Sequence, residues 1–176
     1  MKGASQTHLG AGIPKADVLC PKTVLRVGTW NVRTLYQTSK LSQVVKEFDK
    51  YRLNFLGMTE ARLVSHDKKV LNSGHTLLHS GREDGRHEEG VALPLSKEVS
   101  RSLLEWKPLG SRMLRARFGG KYAKLAMIVC YAPTEEAEEE VKDRFYDQLQ
   151  SAIEDIPSHD MLLIIGDLNA RTGSCK

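Results

Sequence analysis

Two periods of apolar residues divide the chain into elements. Residues 24–30 alternate, with Val24, Arg26 and Gly28 set against Leu25, Val27 and Thr29, and predict a strand. Leu41, Val44, Val45 and Phe48 recur at helical spacing and predict an amphipathic helix reaching about Tyr51. Residues 55–58 form a second short apolar strand, so strand, helix, strand implies a parallel pair joined by a right-handed crossover. Residues 76–80 and 91–95 flank a glycine- and charge-rich stretch and predict a hairpin with a long loop. Pro94 has no N–H to give a ladder, which predicts an edge strand or a bulge for the second arm. Residues 113–118 alternate strictly, Gly119 and Gly120 turn the chain, and residues 124–131 return it as a second hairpin. Val141, Phe145, Leu149 and Ile153 mark one face of a helix whose acidic first turn suits the helix dipole, and Pro157 ends it. The unbroken apolar run 161–165 predicts a strand buried on both faces. Residues 1–22 mix Gly, Ser, Pro and Lys without periodicity and read as a disordered leader, leaving 23–176 as one domain.

Polar residues collect where these strands end. Asn31 follows the first strand, Glu60 the second, Tyr131 closes the second hairpin, and Asp167 and Asn169 follow the last apolar run. In layered α/β folds, ligands are met at the carboxyl ends of strands, so these residues converge if the strands lie side by side. Asp167 and Asn169 are two apart and leave an extended backbone on the same face. A carboxylate beside a neutral amide suits a phosphodiester: Asp167 polarises a water while Asn169 donates to a phosphate oxygen. The same pair is equally ordinary in an Asx-type turn. Glu60 is the best candidate ligand for a hard cation such as Mg²⁺, although a surface Glu opening a loop has the same pattern. Arg33 and Arg62 each lie two residues beyond a candidate and suit phosphate contacts or plain solvation. His75 and His79 are not a zinc pair: in a strand, four residues span roughly 13 Å, and no Cys or third His is near. There is no Walker-type loop and no nucleophile elbow.

Charge sharpens the choice of partner. The formal net charge is +4 and the pI about 9.0. Glu135, Glu136, Glu138, Glu139 and Glu140 sit in one block, so the rest of the surface is more basic than the total. That balance suits a polyanion. The 3 cysteines, Cys20, Cys130 and Cys175, are odd in number and show no Cys-x-x-Cys spacing, which favours a reducing compartment over a disulfide framework. No run is apolar and long enough for a membrane span or signal peptide, so the expected location is the nucleus and/or cytoplasm, with no feature pointing to an obligate protein partner.

Four strings then stand out in order: Gly28-Thr-Trp-Asn-Val-Arg-Thr34, Thr59-Glu-Ala-Arg62, Cys130-Tyr-Ala-Pro133 and Gly166-Asp-Leu-Asn-Ala170. Together they resemble the endonuclease/exonuclease/phosphatase superfamily, and within it the endonuclease domain of RTE-type non-LTR retrotransposons. The resemblance implies an α/β (α+β) fold, a four-layer αββα sandwich of two mixed β-sheets, here incomplete at the C-terminus. It implies that Asn31 and Glu60 sit at a Mg²⁺ or Mn²⁺ ion with Glu60 as direct ligand. Tyr131 would bond the scissile phosphate, Asp167 would orient or activate water, Asn169 would bind phosphate, and Arg33 and Arg62 would touch the DNA backbone or minor groove. The implied activity is DNA nicking. The alternatives are a phosphoinositide or sphingomyelin phosphodiesterase of the same superfamily, suggested by Asn169-Ala-Arg171, or an inactive nucleic-acid-binding or interaction protein. Two departures follow. The family's C-terminal Ser-Asp-His motif has no counterpart; Ser65-His-Asp67 and Ser158-His-Asp160 have the wrong order and place. Leu63 stands where close relatives carry Trp, and Pro94 interrupts a strand.

Overall fold

A computed structural model describes residues 19–20 and 22–169. The expected leader, Arg171 and Cys175 fall almost wholly or wholly outside these. The chain runs β1 (Val27–Asn31), α1 (Thr38–Lys50), β2 (Phe55–Thr59), β3 (His66–Val70), β4 (Thr76–Ser80), β5 (Val91–Leu95), α2 (Lys97–Ser100), β6 (Leu103–Pro108), β7 (Met113–Gly119), β8 (Lys124–Tyr131), α3 (Glu139–Glu154) and β9 (Met161–Asp167). Two mixed sheets result, one ordered β1-β2-β5-β4-β3 and the other β6-β7-β8-β9. The first and last crossovers, β1 to β2 and β8 to β9, are the parallel pairs.

Strand alternation sorts side chains into three apolar layers. Phe55, Leu78, Val91, Leu93 and Leu95 face Leu114, Ala116, Phe118, Leu125, Met127 and Val129 between the sheets. The opposite faces take Leu56, Met58, Leu77 and Ala92 against Val44 and Phe48 of α1. They also take Met113, Ile128 and Cys130 against Phe145 and Ala152 of α3. Helix, sheet, sheet, helix is the four-layer αββα sandwich the resemblance implies. No helix among the described residues is long and apolar enough to cross a membrane.

Two expectations about strand placement fail. Pro94 lies neither at an edge nor in a bulge: β5 is an interior strand and Pro94 pairs opposite Leu77. The ladder to β2 resolves this, because it pairs Phe55 with Leu95 and resumes only at Met58 with Ala92. The gap falls where Pro94 has no N–H to donate. The run 161–165 is not buried on both faces either. β9 is the outer strand of its sheet, and Met161 and Leu162 are exposed. An edge strand is covered on one side by only one neighbour, whatever its composition.

His79 on β4 is buried, and neither ring nitrogen makes a geometrically sound hydrogen bond. Burial pushes its pKa below the ordinary 6.5, with Lys69 and His66 adding to the effect and Asp67 and the Ser65 backbone opposing it. The unfolded chain then takes up a proton where the folded ring does not. Stability is expected to fall as the pH drops below about 6.5, until the folded ring itself titrates. Urea melts from about pH 7.5 to about pH 5 should show this slope, and His79→Leu should flatten it; an unchanged slope in the variant would assign the effect elsewhere.

Candidate active site

The two parallel pairs set the candidate residues level with one another. On the first sheet, Asn31 is in register with Thr59, so Asn31 and Glu60 leave adjacent strand ends. On the second, Tyr131 is in register with Asp167. Thr29 Oγ1 donates to the Gly166 carbonyl at 3.5 Å, joining the two pairs across the sandwich. The structure therefore brings Asn31, Glu60, Arg62, Tyr131, Asp167 and Asn169 to one end of the molecule. Arg33 adds a positive charge that Glu60 senses.

Glu60 is held from several sides. Asn31 Nδ2 donates to Oε1 at 2.6 Å and Arg62 Nη2 donates to Oε2 at 3.2 Å. The Arg33 N–H in turn bonds Asn31 Oδ1 at 3.2 Å. The Asn31 bond, then Arg62 and Arg33, hold the Glu60 carboxyl below its usual range, against partial burial. It is thus an anion with lone pairs to spare. Tyr131 moves the other way. Burial first, then the charges of Glu60 and Asp167, push its phenol above the usual value, with Arg112 partly offsetting them. It stays a neutral O–H donor at ordinary pH.

Asp167 and Asn169 do not share a face of extended backbone. Asn169 has φ 46°, and its N–H bonds Asp167 Oδ1 at 2.9 Å. This is the Asx turn that the sequence allowed as the plain alternative. The turn still serves the site: it fixes the carboxylate, and Asn169 Nδ2 is anchored on the Ala132 carbonyl at 2.6 Å. Left-handed backbone recurs around the same end, at Arg33, Thr34, Glu60, Arg62 and Glu89. Such residues cost on the order of 1–3 kcal/mol each and persist only where surroundings over-determine them.

Sequence reasoning missed the group that joins the two halves. Arg112 pairs with Glu89 at 2.8 Å, lies over the Tyr131 ring at 5.0 Å, and donates to the carbonyls of Tyr131 and Ala132 at 3.3 and 3.5 Å. Glu89 also accepts from Ser111 Oγ. The Glu89 and Gly90 carbonyls take the N–H groups of Arg62 and Ala61, both at 2.9 Å. One ion pair thus links the Glu60 loop of the first sheet to the Tyr131 end of the second. Glu89 is one acid in a charged loop and Arg112 one base before a strand; nothing in either neighbourhood marks a partner 23 residues away. Behind Tyr131, Cys130 is buried, and its thiol pKa is pushed up to about 11 by burial and then by Asp167.

No family model matches the chain. It is 36% identical over 174 residues to craniofacial development protein 2 of Tragulus javanicus, and 35% identical over 174 residues to that of Bos taurus, 98% of this chain in both cases. The chain spans 30% and 29% of the length of these curated relatives. Among solved structures, the AP endonuclease LMAP from Leishmania major superposes with TM-score 0.60 at 14% identity, over 80% of this chain and 54% of that one. The endonuclease domain of TRAS1, a telomere-specific non-LTR retrotransposon, gives 0.60 at 14%, over 85% and 61%. D. rerio TDP2 complexed with single strand DNA product gives 0.58 at 16%, over 84% and 62%. The chain has the endonuclease/exonuclease/phosphatase fold. Within the described residues, the four strings of the sequence are the strand ends and loops on which the candidate residues are displayed.

Gly166 tests how tightly the site is built. It has φ 135°, and a Cβ there would lie 1.9 Å from the Cys130 carbonyl oxygen. Gly166→Ala is expected to cost roughly 2–4 kcal/mol. Gly85 also has positive φ but faces open space, so Gly85→Ala should cost only about 1 kcal/mol. Denaturant melts of the two variants give the comparison; equal losses would mean that the β8–β9 approach is not under constraint.

Proposed function

We propose that this chain is a Mg²⁺-dependent phosphodiesterase module of the DNA endonuclease type, derived from an RTE-type retrotransposon. One observation carries the reading: a charged oxygen donor, Glu60, on one sheet faces a neutral hydrogen-bond donor, Tyr131, on the other, with Asp167 beside it. A phosphodiester needs that combination of cation, water-orienting group and uncharged donors. The excess of basic residues supports a polyanionic substrate.

The donor set fits Mg²⁺, which takes one or two carboxylates and keeps waters and phosphate oxygens for the rest. Glu60 would be the direct ligand. Asn31, its amide nitrogen on Glu60 and its oxygen on the Arg33 N–H, would orient that ligand toward the ion. When bound, Mg²⁺ or Mn²⁺ supplies neutralisation of the phosphate charge. Tyr131 donates its O–H to a phosphate oxygen. Asp167, with Oδ1 held by the Asn169 N–H, uses its remaining lone pairs to orient the attacking water. Asn169 gives one amide proton to Ala132 and offers the other to phosphate. Arg33 and Arg62 pair with strand phosphates, which positions DNA without reading its sequence.

The ligand assignment is tested by calorimetric titration with Mg²⁺ or Mn²⁺. Glu60→Ala should abolish binding; equal affinity in both proteins would remove Glu60 from the site.

The activity is tested on supercoiled plasmid with Mg²⁺, beside an EDTA control and Asp167→Ala. This 176-residue sequence holds no counterpart of the C-terminal Asp and His that the resemblance implies. Loss of one such transition-state donor costs about 10²–10³ in rate. Nicking is therefore expected to be slower than that of a full-length domain by at least that factor, and to vanish in both controls. Nicking that survives EDTA and Asp167→Ala, or hydrolysis confined to phosphoinositide vesicles, would overturn the reading.

A further inference from the structure

The loop between β1 and α1 is fixed to the loop that carries Glu60. Val32 N–H bonds the Thr59 carbonyl at 3.1 Å and Leu35 N–H bonds the Ala61 carbonyl at 2.8 Å. Leu35 turns inward and is 4% exposed; its neighbour Tyr36 turns outward and is 68% exposed. The Tyr36 ring is not loose. It meets His87 edge to face, with centroids 4.4 Å apart and planes at 64°. His87 Nδ1 in turn donates to the Arg62 carbonyl at 3.0 Å, which holds the ring in place. The side chain of Arg62 is 44% exposed and reaches back to Glu60. Neither ring joins the apolar layer beneath, in which Leu35, Val44 and Phe48 pack. Two linked, solvent-facing rings thus stand beside the exposed arginine that touches the candidate metal ligand.

We infer that Tyr36, braced by His87, is a stacking shelf for one unpaired nucleobase of a DNA strand whose backbone crosses the Glu60 site. This rests on the phosphodiesterase reading above and adds the form of the substrate. An aromatic face next to cations is the combination by which single strands are held, stacking on the base and pairing with the backbone. A base inside a duplex has both faces covered by its neighbours and offers none to Tyr36. Arg33 and Arg62 bear on the flanking phosphates. The shelf therefore adds affinity for single-stranded, gapped or frayed DNA, including transiently opened segments of a supercoiled plasmid, beyond the backbone contacts that a continuous duplex also makes.

The test is fluorescence anisotropy with Mg²⁺, using a labelled oligonucleotide with cleavage-resistant phosphorothioate linkages, single-stranded and as the matching duplex. The single strand should bind more tightly. Tyr36→Ala should weaken single-strand binding roughly 5- to 100-fold, the range for stacking one base on an aromatic ring, and leave duplex binding nearly unchanged. Tyr36→Trp should retain the preference. The dependence of affinity on salt should be steep and the same in wild type and Tyr36→Ala, because no phosphate contact is removed. Thermal melts accompany each variant; Tyr36 lies outside the core, so its replacement should leave the melt in place. Equal losses on single strand and duplex, or none, would overturn the shelf while leaving the phosphodiesterase reading intact. Absence of binding to either form of DNA would overturn both.

Discussion

The candidate site exists only because two sheets that share no strand are packed with their ends level. Close approach is the constraint behind this. Gly57 on β2 faces Ile165 on β9, and a Cβ at 57 would lie 2.6 Å from Ile165 Cδ1. Deeper in the sandwich, Phe55 and Phe118 meet edge to face at 5.0 Å. Dense, interdigitated packing of this kind does not slide; it has one register. The Glu89–Arg112 ion pair then ties the rim, where apolar contacts run out and polar loops begin. Breaking such a partly buried pair by removing one partner leaves the other charge uncompensated, so both members constrain the rim.

Much of this was legible in residue order because strand and helix periods report which face is buried. β7 and β8 are the clearest cases: Leu114, Ala116 and Phe118 alternate inward, and Met127 and Val129 answer them. The convergence of Asn31, Glu60, Tyr131 and Asp167 was legible for the same reason, since strand ends inherit their positions from strands. β3 was not legible. His66-Asp-Lys-Lys-Val is exposed throughout, and its pairing with β4 is a matter of backbone, which leaves no apolar signature. Pro94 misled because an average preference for edges is overridden when the missing N–H coincides with a ladder gap. Asp160, between α3 and β9, pairs with Arg117 across 43 residues. Contacts of that separation have no local pattern to reveal them.

Left-handed backbone at Arg33, Thr34, Glu60, Arg62, Glu89 and Asn169 gathers at the end of the sandwich that carries the candidate site. These residues have side chains, and glycine would adopt the same conformations at lower cost. The cost is tolerated because backbone bonds such as Ala61 to Gly90 and Leu35 to Ala61 leave the loops no relaxed alternative. The same bonds fix where the side chains point, so rigidity of the loops and orientation of Glu60 have one origin.

Cys130 shows what this arrangement offers the experimenter. Its sulfur lies between the second sheet and α3, one residue before Tyr131, with a pKa near 11. A thiol reagent needs both access and a thiolate, and the closed molecule supplies neither. Alkylation at Cys130, separated by peptide mass from that at Cys20 and Cys175, therefore proceeds through molecules in which the packing around β8, from α3 or from β9, has opened. The cysteine is a native clock for the breathing of the wall behind Tyr131, readable without adding a probe.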